Sequence, residues 1–174
     1  MKISSFGGSA AATRRESIKT EHWPDTMPWL GPAEVGYFCG PRTLPFVLAA
    51  LSEKSVSHGK DLGAVYVDLL ANHMSGGVVE LGHADDHAYA CGYAQVRTWR
   101  DRMHALEEAG FIKTIVTGNK KFAKVLLIHP STAMHQLRKA GKIGDELWNA
   151  YRDRQTQFKE AKSEEVEVRP KKKP

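Results

Sequence analysis

The chain contains no apolar run approaching the roughly 20 residues that span a bilayer, and no hydrophobic signal core follows Met1-Lys2. A cytoplasmic protein with no membrane partner is therefore expected. Cysteine is scarce: Cys39 and Cys91 stand alone, without metal-type spacing. Two reduced structural thiols, and no disulfide, are expected in that compartment. A phosphate-cradling loop is missing too, because neither Gly7-Gly8 nor Gly76-Gly77 is followed by Lys-Ser or Lys-Thr. No Gly-x-Ser-x-Gly nucleophile elbow occurs. The one constellation with metal-ligand spacing is His83-Ala84-Asp85-Asp86-His87, with His73 or His104 as a third ligand. Against a metal site, Gly82 to Asp85 reads as a loop entering a helix and the Asp pair as its cap, and no third ligand is fixed. The expectation is no enzyme, no metal and no cofactor.

What is present is ordinary for a globular chain: 174 residues, 41% hydrophobic, with a formal net charge of +5. That length accommodates one core with extra helices. The ends differ from the middle. Residues 1–22 are rich in Ser, Gly, Ala, Thr and charge, and read as a flexible tail in which Arg14 and Arg15 are within reach of a polyanion. Residues 163–174 form a second charged tail, in which Glu164, Glu165 and Glu167 precede Arg169 and Lys171 to Lys173. Between them, 23–162 reads as a single domain. Its first segment, Trp23 to Pro45, interleaves aromatics with Pro and Gly, as in an ordered loop packed over a core.

The pattern is sharpest from Asp85 to Ile128. Within Gln95 to Ala109, Val96, Trp99, Met103 and Leu106 recur at intervals of three, four and three, one stripe of an α-helix. The other face carries Arg97, Thr98, Asp101 and His104, with Gln95 at its start and Arg100 and Arg102 on its flanks. This set can bond base edges and phosphates. Upstream, Leu62, Val65, Tyr66, Leu69 and Leu70 mark a helix that stops before Ser75-Gly76-Gly77, and Val78 to Leu81 reads as a short strand. Asp85 or Asp86 can cap the next helix, whose buried side is Ala88 and Cys91. Gly92 and Gly110 supply the positive φ that a sharp turn and a helix end require. Phe111 to Val116 and Phe122 to Ile128 are β-like runs. The basic turn between them places Asn119, Lys120, Lys121 and Lys124 at or near a hairpin tip, with Lys113 on the first run.

Helix, strand, helix, long amphipathic helix and a two-stranded hairpin, in that order, resemble the winged helix-turn-helix family of DNA-binding domains over roughly residues 60–130. The run from Arg97 through Leu106-Glu107-Glu108-Ala109-Gly110-Phe111-Ile112 is similar to the passage from recognition helix into wing in such proteins. The resemblance implies an α+β, mainly α fold: a winged core with additional N- and C-terminal helices. It further implies a recognition helix in the major groove of duplex DNA, contacting it through Gln95, Arg97, Thr98, Arg100, Asp101 and Arg102, with Lys113, Asn119, Lys120, Lys121 and Lys124 on the backbone. Some members use this fold for protein contacts instead. Residues 85–130 carry seven Arg and Lys against five Asp and Glu, a net of +2, so a few phosphate contacts plus base reading are expected. Further helices are expected at Leu44 to Ser52, Thr132 to Ala140 and Asp145 to about Glu160. They either extend the core or form a homodimer interface.

Overall fold

A computed structural model of the chain describes Thr13, Ser17 and Glu21 and the stretches 40–73, 77–117 and 120–160. The expected C-terminal tail, Asn119, Cys39 and most of the N-terminal tail and of the Trp-Pro segment lie outside the described residues. The chain divides into two units, Met1–Tyr37 and Phe38–Pro174. In the first, Thr13, Ser17 and Glu21 are helical, and Ser17 Oγ donates to the Thr13 carbonyl at 3.1 Å.

The second unit is α+β and mainly helical. Its elements run α1 (Leu44–Ser52), α2 (Lys54–Ser57), α3 (Gly63–Ala71), β1 (Val78–Glu80), α4 (Ala84–Ala90), α5 (Val96–Glu108), β2 (Ile112–Thr117), β3 (Lys120–Leu127), α6 (Pro130–Lys139) and α7 (Asp145–Gln157). Pro45 opens α1 where a missing amide hydrogen costs nothing. The short α2 carries no periodic stripe, and nothing in the sequence announces it. His83 precedes α4 in an extended conformation and no side chain caps the helix. Asp85 and Asp86 occupy its first turn instead, where their charge meets the positive end of the helix dipole. They correct the capping expectation: a cap acceptor must sit one residue before the helix, and both lie inside it.

Two glycines set the angles around α5. Gly92, at φ 76°, turns the chain between α4 and α5, and Gly110, at φ 81°, ends α5 ahead of β2. A Cβ on Gly110 would also come within 3.0 Å of the Gln136 side chain.

The three strands are antiparallel in the order β1-β3-β2. Val79 pairs with Val125 and Val125 with Thr114, and both valines are buried beneath the helices. The alternate rows, Val78-Leu126-Lys113 and Glu80-Lys124-Ile115, face outward and are exposed. Lys124 therefore lies in mid-strand opposite Ile115, not at the hairpin tip. Four residues of strand separate it from Lys120, about 13 Å at roughly 3.3 Å per residue.

The core gathers Trp99, Met103 and Leu106 of α5 with Val65, Tyr66 and Leu69 of α3, and Phe111 and Ile112 entering β2. Tyr66 meets Phe111 edge-on at 5.3 Å between ring centres. The flanking helices are part of this core: Val47, Ala50 and Leu51 of α1 are buried with Ala133, Met134 and Leu137 of α6 and Tyr151 of α7. A polar cluster fastens them. Gln155 Nε2 donates to Ser131 Oγ at 3.0 Å, both side chains buried, and Thr43 Oγ1 donates to Glu160 at 2.6 Å.

Trp99 is 2% exposed, so Trp99→Ala is expected to cost about 3–5 kcal/mol. The Tyr66 hydroxyl is buried with no partner among the described residues, and burial pushes its pKa up. Tyr66→Phe should consequently leave stability unchanged or raise it. Denaturant titration of both variants checks the contrast, and a clear loss in Tyr66→Phe would mean that the hydroxyl is bonded in solution.

Candidate nucleic-acid interface

Burying the Trp99, Met103 and Leu106 stripe fixes how α5 is turned. Arg97, Asp101, His104 and Glu108, spaced four, three and four apart, form one exposed ridge opposite it. Gln95 is exposed at the N-cap and Thr98 is half-buried on one flank. Arg100 is exposed on the other flank, toward β3. Among the described residues, no ion pair, hydrogen bond or ring contact engages the guanidinium of Arg97 or Arg100, or the amine of Lys113. On this surface they are the cations at liberty to meet another molecule.

Arg102 is different. Its Nη1 donates to the Thr98 carbonyl at 3.0 Å, its guanidinium lies 4.7 Å from the Tyr93 ring centre, and its Nε is buried with no partner among the described residues. The Tyr93 hydroxyl in turn donates to the Asp61 carbonyl at 3.1 Å. Arg102 thus ties α5 to the Gly92 turn and to the loop before α3, a structural task for a side chain expected to reach bases.

The hairpin lysines also separate. Lys121 Nζ pairs with Glu107 Oε2 at 2.8 Å and lies 3.1 Å from His104 Nδ1, while its charge sits 5.4 Å from the Phe122 ring centre. The Thr114 hydroxyl donates to the same Glu107 carboxylate. Burial opposes ionisation of Glu107, but the hydrogen bonds from Lys121 and Thr114, with the Lys121 and His104 charges, outweigh it and hold the carboxyl below the usual range. Glu107 therefore latches α5 to both β2 and β3. Lys124 Nζ is 3.6 Å from Glu80 across the sheet, and Lys120 opens β3 opposite Thr117.

The histidine pair separates as well. His87 points its Nδ1 at Asp68 Oδ2, 2.8 Å away, and stacks on Trp99, whereas His83 is exposed ahead of the helix. They share no face, and among the described residues no cluster of three metal-ligating side chains forms. Cys91 is a free thiol. Burial, with the Asp68 and Asp61 carboxylates nearby, pushes its pKa up to about 11, which keeps it protonated and poorly nucleophilic. No helix among the described residues is long and apolar enough to cross a membrane.

A cavity of about 470 Å³ opens between the loop before α4, the Arg100 flank of α5 and β3. Trp99 and Phe122 lie in its walls with Arg100, His104, Lys121 and His83. Periodicity marks which face of a helix is buried but not which distant element lies beside a flank. Hence Tyr93, Phe122 and Glu107 carry no sign of their roles in the sequence, and the exposed Tyr89 of α4 none of its exposure.

No protein-family model, curated protein or solved structure matches the chain.

Two variants test the contacts that hold α5 in place. Arg102→Ala should lower the melting temperature, because it removes a stacked guanidinium and a hydrogen bond from a half-buried site. Glu107→Gln should cost about 1 kcal/mol or less, given a partly exposed pair. Because the folded pKa of Glu107 is depressed, its contribution is present at neutral pH and lost as pH falls through the folded value. The stability gap between wild type and Glu107→Gln, followed by denaturation at several pH values, should accordingly close below the usual carboxylate range.

Proposed function

We propose that the chain is a winged helix-turn-helix protein that binds duplex DNA with sequence preference and acts as a transcriptional regulator in the cytoplasm, without catalytic activity of its own. One observation carries the reading: α3, β1, α4, α5, β2 and β3 follow one another in the winged-helix order, and the β1-β3-β2 sheet stands beside an amphipathic helix that exposes Arg97 and Arg100, neither guanidinium with a partner among the described residues. Arg97 leads the base-reading set with Gln95 and Thr98, and Arg100 and the wing face the phosphates. An accessory role in replication or maintenance of a mobile DNA element uses the same contacts. Pairing of two copies through α6 and α7, where Trp148 and Leu147 are half-buried, would let one protein read two half-sites.

A protein-interaction module is the second reading, favoured by the exposed apolar residues Val78, Ile115 and Leu126 on the outer sheet face. Carboxylates at Asp101 and Glu108 on the ridge agree with it.

Selection from random duplex DNA, followed by gel shift, tests the proposal. A recovered motif is expected, with Arg97→Ala weakening binding to it by about 1–3 kcal/mol. Lys120→Gln with Lys121→Gln should weaken binding to every duplex by a similar factor and reduce the slope of log K against log salt by about 0.9 for every phosphate no longer neutralised. Failure to enrich any sequence, with no retention of duplex at low salt, sinks the DNA reading in favour of the protein one.

A further inference from the structure

We propose that the cavity between α5, the wing and the loop before α4 is a binding site for a small planar aromatic carboxylate, and that its occupancy weakens DNA binding. The coupling half of this proposal rests on the DNA-binding reading; the site itself does not.

The cavity has the make-up of a ligand site: about 470 Å³, within the 300–1,000 Å³ range typical of small-molecule pockets, with apolar walls and a few convergent polar groups. Two of its walls are aromatic. Trp99 and Phe122 meet edge-on at 5.9 Å, are held at fixed angles by His87 and His104 and are almost wholly buried, so the part of them that reaches the cavity is a rigid apolar wall. Its polar groups are mostly donors. Arg100 has no partner among the described residues, and a guanidinium matches a carboxylate with two parallel hydrogen bonds. Lys121 stands beside it, shared with Glu107. Asp85, at the α4 side, is exposed and screened, and sets the opposite sign at one end only.

The second observation is independent of the shape. Trp99 is 2% exposed and its indole N–H is buried with no acceptor among the described residues. A buried donor of this kind ordinarily has a partner, and leaving it unmade costs about 1–3 kcal/mol. Trp99 lines the cavity, and an acceptor carried in by the ligand, with a small shift of the wall, is the partner the proposal assigns to it. The link to DNA follows from the same side chains. Arg100 and Lys121 belong to the cationic face offered to phosphates, so a carboxylate seated on them withdraws positive charge and sets a negative one beside the backbone.

Titration of the 15N-labelled full chain with 1-naphthoate tests the site by NMR. The chain has four tryptophans, and the indole resonance that disappears in Trp99→Phe identifies the reporter. A saturable shift of that resonance is expected with 1-naphthoate. Uncharged 1-naphthamide, acetate and inorganic phosphate should each bind at least tenfold more weakly. Gly82 lines the cavity and a Cβ there meets nothing within 4 Å, so Gly82→Phe can fill the space without backbone strain. That variant should keep its melting temperature and show no shift. An unmoved Trp99 resonance, equal binding of the amide, or wild-type binding by Gly82→Phe overturns the site. For coupling, saturating 1-naphthoate should weaken retention of a selected duplex at least fivefold in wild type and leave Gly82→Phe unaffected. If the resonance moves but retention does not, the coupling is overturned and the site stands. If no duplex is retained at all, the DNA reading fails while the NMR result still decides the pocket.

Discussion

The burial of Trp99 is the constraint on which the other positions depend. Its ring stacks on His87 of α4, meets Phe122 of β3 edge-on and closes over the core beneath α5, while His87 reaches Asp68 on α3. Four elements are therefore referred to one side chain. Because a helix has a fixed angular step, placing Trp99, Met103 and Leu106 inward dictates that Arg97, Asp101, His104 and Glu108 face out. A rotation of α5 that turned any ridge residue toward the core would expose aromatic surface in exchange, and would break the packing of Trp99 on Phe122 of β3.

Two smaller attachments set what burial leaves free. Along the helix axis the packing stripe tolerates tilt, and the flanks remove it. Arg102 stacks on Tyr93 on one side, and Glu107 takes Lys121 and Thr114 on the other. One joins α5 to the turn before it, the other to the strands after it. Each uses a charged residue that composition alone would assign to solvent or to a polyanion. The helix is left with fewer liberated cations than its sequence contains, Arg97 and Arg100 of the three arginines. Its exposed cationic patch is correspondingly narrower, and the carboxylates Asp101 and Glu108 lower the positive potential around Arg97.

Much of this fold is legible in the sequence wherever one face of an element meets the core. The stripe in α5, the positive-φ glycines at 92 and 110 and the hydrophobic spacing of α1, α3 and α7 each report a local requirement, and local requirements are written in consecutive residues. What is not legible shares a different cause. The short α2 has no period to show. Lys124 reads as near the tip because a run of β-like residues does not mark where its hairpin closes, and the register opposite Ile115 is decided by the partner strand. The engagement of Arg102 depends on Tyr93, nine residues away across a turn, and the latch of Glu107 on Lys121, fourteen residues away across a strand. Spacing predicts which face a residue occupies and is silent on what faces it.

The same distinction explains why the cavity sits where it does. An amphipathic helix that packs on one side and stays open on the other must have two flanks where burial is incomplete, and a neighbouring element either fills a flank or leaves it hollow. Tyr93 fills the Arg102 flank. On the opposite side, β3 supplies Phe122 and Lys121 to the gap and Gly82 supplies no side chain, so space remains beside Arg100. The hollow is thus a consequence of asymmetric flank packing around one fixed indole. It also places a buried donor without a partner among the described residues next to a cation in the same condition, at the edge of the face proposed to meet DNA. A larger residue at the glycine position would add packing and close the hollow beside Arg100 in which a small molecule is proposed to bind. Glycine at position 82 keeps both the space and the exposed charge.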